Sequence, residues 1–324
     1  MSKAIGLLSG GLDSCLAALC LKKQGVDVTC IAFVTPFFGS DKAERMAAQM
    51  EIPLVVEDIS DIHLEMLKAP RYGYGKNMNP CIDCHAMMFR LAGQRMVDGG
   101  FDFLFSGEVL GQRPMSQNAN ALRSVANYSG HPDRILRPLS ARVLPATSME
   151  EQGLVDREQL LDIQGRSRKR QEALAKEWGL SGYPSSGGGC LLTEKHFSDR
   201  LRDLFVHQPD CTTTDVELLK VGRQFRLSET AKLTVGRHQS DNEAIRQLIR
   251  PGQTIVRTPG FPGPLGLVSG SASQHDLHIA GAIVAAYGKG KDQQEIKVLS
   301  ETDGEERSFS VTPMPRSRSE ELIL

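Results

Sequence analysis

Two groups of residues in this chain have types and spacings suited to chemistry. The first is the run Ser9-Gly10-Gly11-Leu12-Asp13-Ser14. It follows a short apolar segment, residues 4–8, and opens a helical pattern of Leu12, Leu16, Leu19 and Cys20 that ends at Lys22-Lys23-Gln24-Gly25. A buried strand, a tight glycine turn and a helix N-terminus make an anion site, because unpaired backbone N–H groups face outward and the helix dipole favours negative charge. Gly10 and Gly11 let the backbone approach phosphate oxygens closely, and the Ser9 and Ser14 hydroxyls can donate to them. Asp13 cannot donate. A carboxylate among phosphates makes sense with a Mg²⁺ ion between them. The spacing is neither G-x-x-x-x-G-K-[ST] nor G-x-G-x-x-G, so the commoner nucleotide loops are absent.

The second group is cysteine. In Asn79-Pro80-Cys81-Ile82-Asp83-Cys84-His85 two thiols sit at C-x-x-C spacing where a helix opens. A helix N-terminus lowers a thiol pKa, so both are expected as thiolates. Cys190 follows Gly187-Gly188-Gly189, a run that lets the backbone wrap closely around a ligand. Three thiolates suit a [4Fe–4S] cluster with one iron left open. Structural zinc wants four closed ligands, and His85 could supply the fourth. A C-x-x-C pair on its own is weak evidence of a site. Cys15, Cys20 and Cys30 fall on apolar stretches and read as core, while Cys211 has no partner in the sequence.

These residues need a frame. Apolar runs at 28–34, 53–56 and 101–105 alternate with helical patterns at 41–50 and 86–97. Such alternation predicts an α/β fold, a doubly wound parallel sheet. Ligands of these sheets sit outside the carboxyl ends of the strands. That gathers the first loop, residues 35–39 after the second strand and residues 107–117 after the fourth around one crevice. Phe33, Gly107 and Arg113 complete the expected nucleotide site, although Glu108 and Arg113 also fit an ordinary surface turn.

Beyond the sheet, residues 148–178 read as charged and helical, with Asp156 capping a helix at 157–163 and a second helix at 166–178. Arg166, Arg168, Lys169 and Arg170 form a basic cluster there, suited to RNA or to a solvated helix face. Residues 183–190 are irregular, and 197–205 are amphipathic. Short β-rich segments at 225–227, 232–236, 254–257 and 265–268, a helix at 276–287 and a last strand at 295–299 predict a smaller C-terminal α+β domain. The expected division is a catalytic domain at 1–180, a glycine/cysteine linker at 181–205 that returns to the site, and a domain at 206–324. The tail, 316–324, is expected to be poorly ordered.

Length and charge set bounds. A chain of 324 residues makes about two domains, and a net charge of −1 confines any nucleic-acid surface to a local patch. No apolar run approaches the roughly 18 residues of a membrane span, and residues 1–30 lack a signal-peptide pattern. Seven cysteines in a chain of this size point to core, catalysis or metal rather than to a disulfide scaffold. The expected setting is cytoplasmic.

The run Ser9–Ser14 resembles the PP-loop of the ATP pyrophosphatases, and Asn79-Pro80-Cys81 through Cys84 is similar to a segment of the bacterial 2-thiouridine synthetases. Gly165-Arg166-Ser167-Arg168 and Gly188-Gly189-Cys190-Leu191-Leu192-Thr193 resemble PP-loop proteins related to the 4-thiouridine synthetases. The resemblance covers residues 1–205. It implies that ATP is cleaved between its α- and β-phosphates, that a uridine carbonyl oxygen of tRNA is adenylated, and that sulfur replaces it. Asp13, Cys81, Cys84 and Cys190 would carry that chemistry, through a cluster or a cysteine persulfide, with a cysteine desulfurase or free sulfide as donor. Val235-Gly236-Arg237 through Asn242 resembles the RNA-binding domain of ribosome quality-control proteins, which implicates Arg237. No THUMP region, rhodanese-like tail or thiouridine-synthetase β-barrel is recognisable, so the target nucleotide is not inherited. Three alternatives stay open: a PP-loop amidotransfer reaction, a nucleotide- or RNA-binding protein without turnover, and a C-terminal domain that serves a homodimer.

Overall fold

The computed structural model describes residues 1–184 and 189–324, so Gly187 and Gly188 of the glycine run lie outside the described residues. The chain divides into two compact units, Met1–Thr193 and Glu194–Leu324.

The first unit begins with β1 (Lys3–Leu7), α1 (Leu12–Lys23), β2 (Asp27–Val34), α2 (Asp41–Met50), β3 (Leu54–Asp58), α3 (Ser60–Lys68) and α4 (Cys81–Gly99). It continues with β4 (Phe103–Ser106), α5 (Ala119–Ser129), β5 (Ile135–Leu136), α6 (Ser148–Glu151) and α7 (Lys169–Glu177). The five strands pair in parallel in the order β3-β2-β1-β4-β5. Side chains alternate along each strand, so the two faces feed separate cores. Ala4, Phe103 and Phe105 pack with Leu16 of α1, Met46 of α2 and Ala175 of α7. Ile5, Ile31 and Leu104 pack with Phe89 of α4 and Val125 of α5. Helices on both faces of a parallel sheet make it doubly wound, as the alternating pattern predicts. The strand order reverses between β1 and β4, and such a switch point opens a ligand crevice at the carboxyl edge. The loop after β1 and the loop after β4 therefore face each other.

The helical expectation for 148–178 is corrected. A four-residue α6 is followed by a single 3-10 turn at Arg157–Gln159, and α7 starts only at Lys169. Asp156 does cap that turn, accepting from the Glu158 N–H at 3.0 Å. Gln164 instead forms a bridge with Leu110, and the chain turns at Gly165 with φ +80°. A tertiary contact to the β4 loop thus overrides local helix propensity. Helices α3 and α5 lie in segments without a strong apolar pattern.

In the second unit, α8 (Lys195–His207) and α9 (Thr213–Leu219) precede β6 (Arg223–Arg226), β7 (Ala231–Val235), α10 (Gln239–Gln247), β8 (Thr254–Arg257) and β9 (Gly266–Gly270). Then come α11 (Gln274–Ala286), β10 (Ile296–Thr302), β11 (Glu305–Val311) and α12 (Arg316–Glu320). The six strands form one antiparallel sheet, ordered β11-β10-β8-β9-β7-β6. A capping box starts α11: the Asp276 carboxylate accepts from the Ser273 N–H at 2.8 Å, and Ser273 Oγ accepts from the Asp276 N–H at 3.1 Å. Ile283 and Val284 of α11 then pack on Phe225, Leu233, Val256 and Val298. The tail is ordered, against expectation. Arg226 N–H donates to Leu322 O at 2.9 Å and Leu324 N–H to Gln224 O at 3.0 Å, so the last residues line the free edge of β6. Among the described residues no helix is long and apolar enough to cross a membrane.

Candidate functional site

The loop between β1 and α1 is built for close approach. Gly10 has φ +70°, and a Cβ there would stand 2.4 Å from the backbone carbon of Lys42 at the start of α2. Only glycine meets both demands. No side chain caps α1, and its first intrahelical bond runs from the Cys15 N–H to Gly11 O at 3.2 Å. The N–H groups of the first turn are thus offered to a ligand. The serines differ from expectation in part. Ser14 is buried and donates its hydroxyl to Gly11 O at 2.8 Å, which stiffens the loop. Ser9 is exposed at the rim, its Oγ 3.3 Å from that of Ser14.

Asp13 faces this turn. Its Oδ2 accepts from Gln112 Nε2 at 2.7 Å and from the Arg168 guanidinium at 3.4 Å. Gln171 Nε2 in turn donates to Gln112 Oε1 at 3.0 Å. The other carboxylate oxygen, Oδ1, is buried with no hydrogen-bond partner. A buried unpaired carboxylate oxygen is costly and suits a cation, so Asp13 fits a Mg²⁺ ion shared with phosphates. Gly107 sets the approach from the other side: a Cβ on it would come within 2.4 Å of the Asp13 carbonyl carbon and the Ser14 nitrogen.

From Gly107 a line of contacts leads to the thiols. Glu108 is buried and accepts from His85 at Nδ1 (2.8 Å), Arg137 Nε (2.9 Å) and Ser106 Oγ (3.2 Å). Burial alone would raise its pKa, but Arg137 and His85 more than offset that and hold it at about 2. His85 adjoins Cys84 on the first turn of α4. Cys84 Sγ lies 3.4 Å from Nε2 of His63, a fully buried histidine on α3 beside the rings of Phe37 and Phe38. Burial lowers the His63 pKa to about 4, so the ring is neutral. Burial also pushes the Cys84 thiol well above its ordinary value, and the charges of Cys190, Cys81 and Asp83 push the same way. The expectation of two ready thiolates is therefore corrected at Cys84, because desolvation outweighs the helix terminus.

Cys190 returns to this edge. Leu191 N–H donates to Phe37 O at 3.1 Å, and Asn77 Nδ2 donates to Thr193 O at 2.6 Å. Its thiol is raised to about 11 by burial; the Leu192 N–H opposes this, Cys81 adds to it, and Arg113 opposes it. Asn79 Nδ2 donates to Cys81 Sγ at 3.4 Å. The three thiols thus lie within range of one another's charge. Yet among the described residues no three His, Cys, Asp or Glu side chains form a group able to hold a metal ion. A [4Fe–4S] cluster or zinc on these thiols is therefore not shown.

Other expected site residues divide. Phe33 is buried in the core on one face of the sheet. Arg168, expected on a basic RNA surface, turns inward to Asp13. Arg166 and Lys169 are exposed, and Arg170 pairs with Asp162 at 2.7 Å. Arg237, in the second unit, is exposed and pairs with Asp241 at 2.8 Å. His63, Arg137 and Gln171 were not legible as site residues, and Gln112 was placed only as part of the loop after the fourth strand. The first three are isolated in sequence and acquire their partners only through the fold.

Residues 1–142 match the family model described as Thiamine biosynthesis protein (ThiI). The first unit is thus similar, over residues 1–142, to that family. Residues 222–323 match the model of the NFACT protein RNA binding domain. A tRNA-specific 2-thiouridylase MnmA of Desulfosudis oleivorans is 36% identical over 86 residues, which are 25% of this chain and 24% of the relative. A probable tRNA sulfurtransferase of Staphylococcus aureus is 28% identical over 144 residues, 42% of this chain and 34% of the relative. The chain thus spans about a quarter to a third of the length of these curated relatives. The solved complex of a 4-thiouridine synthetase with RNA and bound ATP has a TM-score of 0.41 and 21% identity over 67% of this chain and 52% of that one.

Proposed function

We propose that this chain is an ATP-dependent tRNA sulfurtransferase acting in the cytoplasm. The observation that carries the proposal is continuity. An uncapped, glycine-shaped anion loop is joined by direct contacts through Gly107, Glu108 and His85 to the edge that holds Cys81, Cys84 and Cys190. The backbone N–H groups at Gly11–Ser14 would receive the phosphates of ATP. A Mg²⁺ ion on Asp13 Oδ1 would neutralise charge on those phosphates. A uridine carbonyl oxygen then attacks the α-phosphorus, pyrophosphate leaves, and the loop stabilises the charge that develops. Sulfur from a donor, such as a cysteine desulfurase or sulfide, attacks the activated carbon, and AMP leaves with the original oxygen. Sulfide would attack directly. Sulfur from a desulfurase would arrive as the outer sulfur of a persulfide on one of Cys81, Cys84 or Cys190, and its attack would leave a mixed disulfide with the RNA. A second of these thiols would break that bond, releasing the thionucleoside and leaving a cysteine disulfide for an external thiol to reduce. No step is assigned to an iron–sulfur cluster. The second unit is assigned to holding RNA, on the strength of the family match to residues 222–323.

The test uses purified chain, ATP, Mg²⁺, sulfide and unmodified tRNA. AMP and thionucleosides are measured together. Equal amounts of both support the reading, whereas nucleotide and RNA binding without AMP would replace it with a non-catalytic one.

A further inference from the structure

The second unit contains a cavity of about 930 Å³, at the upper end of the roughly 300–1,000 Å³ range for ligand pockets. Several guanidinium groups elsewhere in the unit are neutralised: Arg226 by Asp203, Arg250 by Asp215 and Arg257 by Glu306. At the cavity, Arg223 and Arg316 instead rest on the ring of Tyr287, at 4.7 and 5.8 Å from its centroid. Among the described residues neither has a carboxylate within ion-pairing distance, and neither do Lys289 and Lys291 beside them. An aromatic ring holds a guanidinium in place without cancelling its charge. The carboxylate that the lining sets against these four cations is Asp292; a further lining guanidinium, Arg237, is already neutralised by Asp241.

The walls suit an unpaired strand. Pro262, Gly263 and Gly288 present backbone rather than long side chains, and the Lys289 N–H braces them by donating to Pro262 O at 2.9 Å. Duplex RNA is recognised across its broad minor groove and along many base pairs, which a cavity of this size does not admit. A single strand brings phosphates for the free cations and flat bases that stack on guanidinium planes.

We propose that this cavity binds single-stranded RNA, with Arg223 and Arg316 contacting phosphates or bases and Tyr287 as the positioning residue that holds both. This rests on the reading that the second unit holds RNA, and it specifies which form of RNA.

The experiment measures fluorescence anisotropy of the full chain with three labelled probes: a short unstructured RNA, a blunt RNA duplex of equal length and unmodified tRNA. The single strand is expected to bind roughly tenfold or more tighter than the duplex. The double variant R223A/R316A should lose roughly tenfold or more in single-strand affinity and lower the salt slope by about two, with duplex binding unchanged. K289E/K291E, on exposed loop positions, tests the same cavity without touching a strand. Equal affinity for both probes, or unchanged single-strand binding in both variants, overturns the proposal. AMP formation is read in parallel. A chain that makes AMP while its cavity variants are silent refutes only the cavity. One that loses single-strand binding in the variants but never makes AMP keeps the cavity and refutes the thiolation reading.

Discussion

Asp13 concentrates the account at the scale of single residues. One of its oxygens is tied to Gln112 and Arg168, and the other is buried without a partner. Asp13→Ala should therefore reduce AMP formation at least about a hundredfold, through loss of cation-mediated stabilisation of the phosphates. Its thermal unfolding should change little, because loss of the contacts to Gln112 and Arg168 is offset by removal of a buried, unpartnered carboxylate oxygen. Parallel activity and melting measurements check this, and near-normal turnover would contradict the cation role. Glu108 makes the opposite kind of claim. Its carboxylate is held at about 2, below the ordinary 4.5. A depressed acid contributes stability that is fully present above pH 4.5 and is lost as pH falls from there through about 2. Glu108→Gln should remove that acid-range dependence. It should also destabilise the fold at pH 7 by about 3–5 kcal/mol, since it leaves the buried Arg137 guanidinium without its carboxylate. Denaturant titrations of both proteins at pH 7 and across the acid range read both effects.

At the scale of elements, the site depends on loops pressed against helix starts. Gly107→Ala would force a methyl group to within 2.4 Å of the α1 backbone, where no flexible side chain can give way. The expected result is a loss of about 1–3 kcal/mol of stability together with weakened ATP binding, measured by melting and by nucleotide titration. Weakened binding without any destabilisation would contradict the packing argument. The elements that the sequence made legible are those with strong patterns. Apolar runs bounded by glycine turns gave β1, β2 and β4, and a long amphipathic run gave α4. The Ser9–Ser14 loop was legible because its residue types are needed at fixed spacing. What stayed hidden depends on distant partners. The segment 157–163 has helical composition but forms only a 3-10 turn at Arg157–Gln159 before the Leu110–Gln164 bridge ties the chain to the β4 loop. Strand β11 is mostly polar and exposed, with Phe309 and Val311 its only apolar residues, so it offers little apolar face to read. Its one signal is the Asp303-Gly304 turn, where both residues have positive φ, as the tightest hairpins require. The tail looked like a loose end because its anchors, Gln224 and Arg226, lie about a hundred residues earlier.

For the whole molecule, the account gives chemistry to the first unit and RNA to the second. Binding through unpaired cations releases counterions, so tRNA affinity of the full chain should fall steeply with salt. A chain ending at Thr193 should bind more weakly and with a shallower slope, whereas an unchanged slope would return the second unit to a role such as homodimer formation. The central claim is that a base carbonyl oxygen is adenylated and then replaced. It is tested most directly by following that oxygen. RNA carrying oxygen-18 at the uracil carbonyls is incubated with the full chain, ATP, Mg²⁺ and a sulfide donor, and the AMP is analysed by mass spectrometry. The account predicts one labelled oxygen in AMP for each thionucleoside formed. Unlabelled AMP, which would mean that water attacks the phosphorus, or thiolation without AMP, would contradict it.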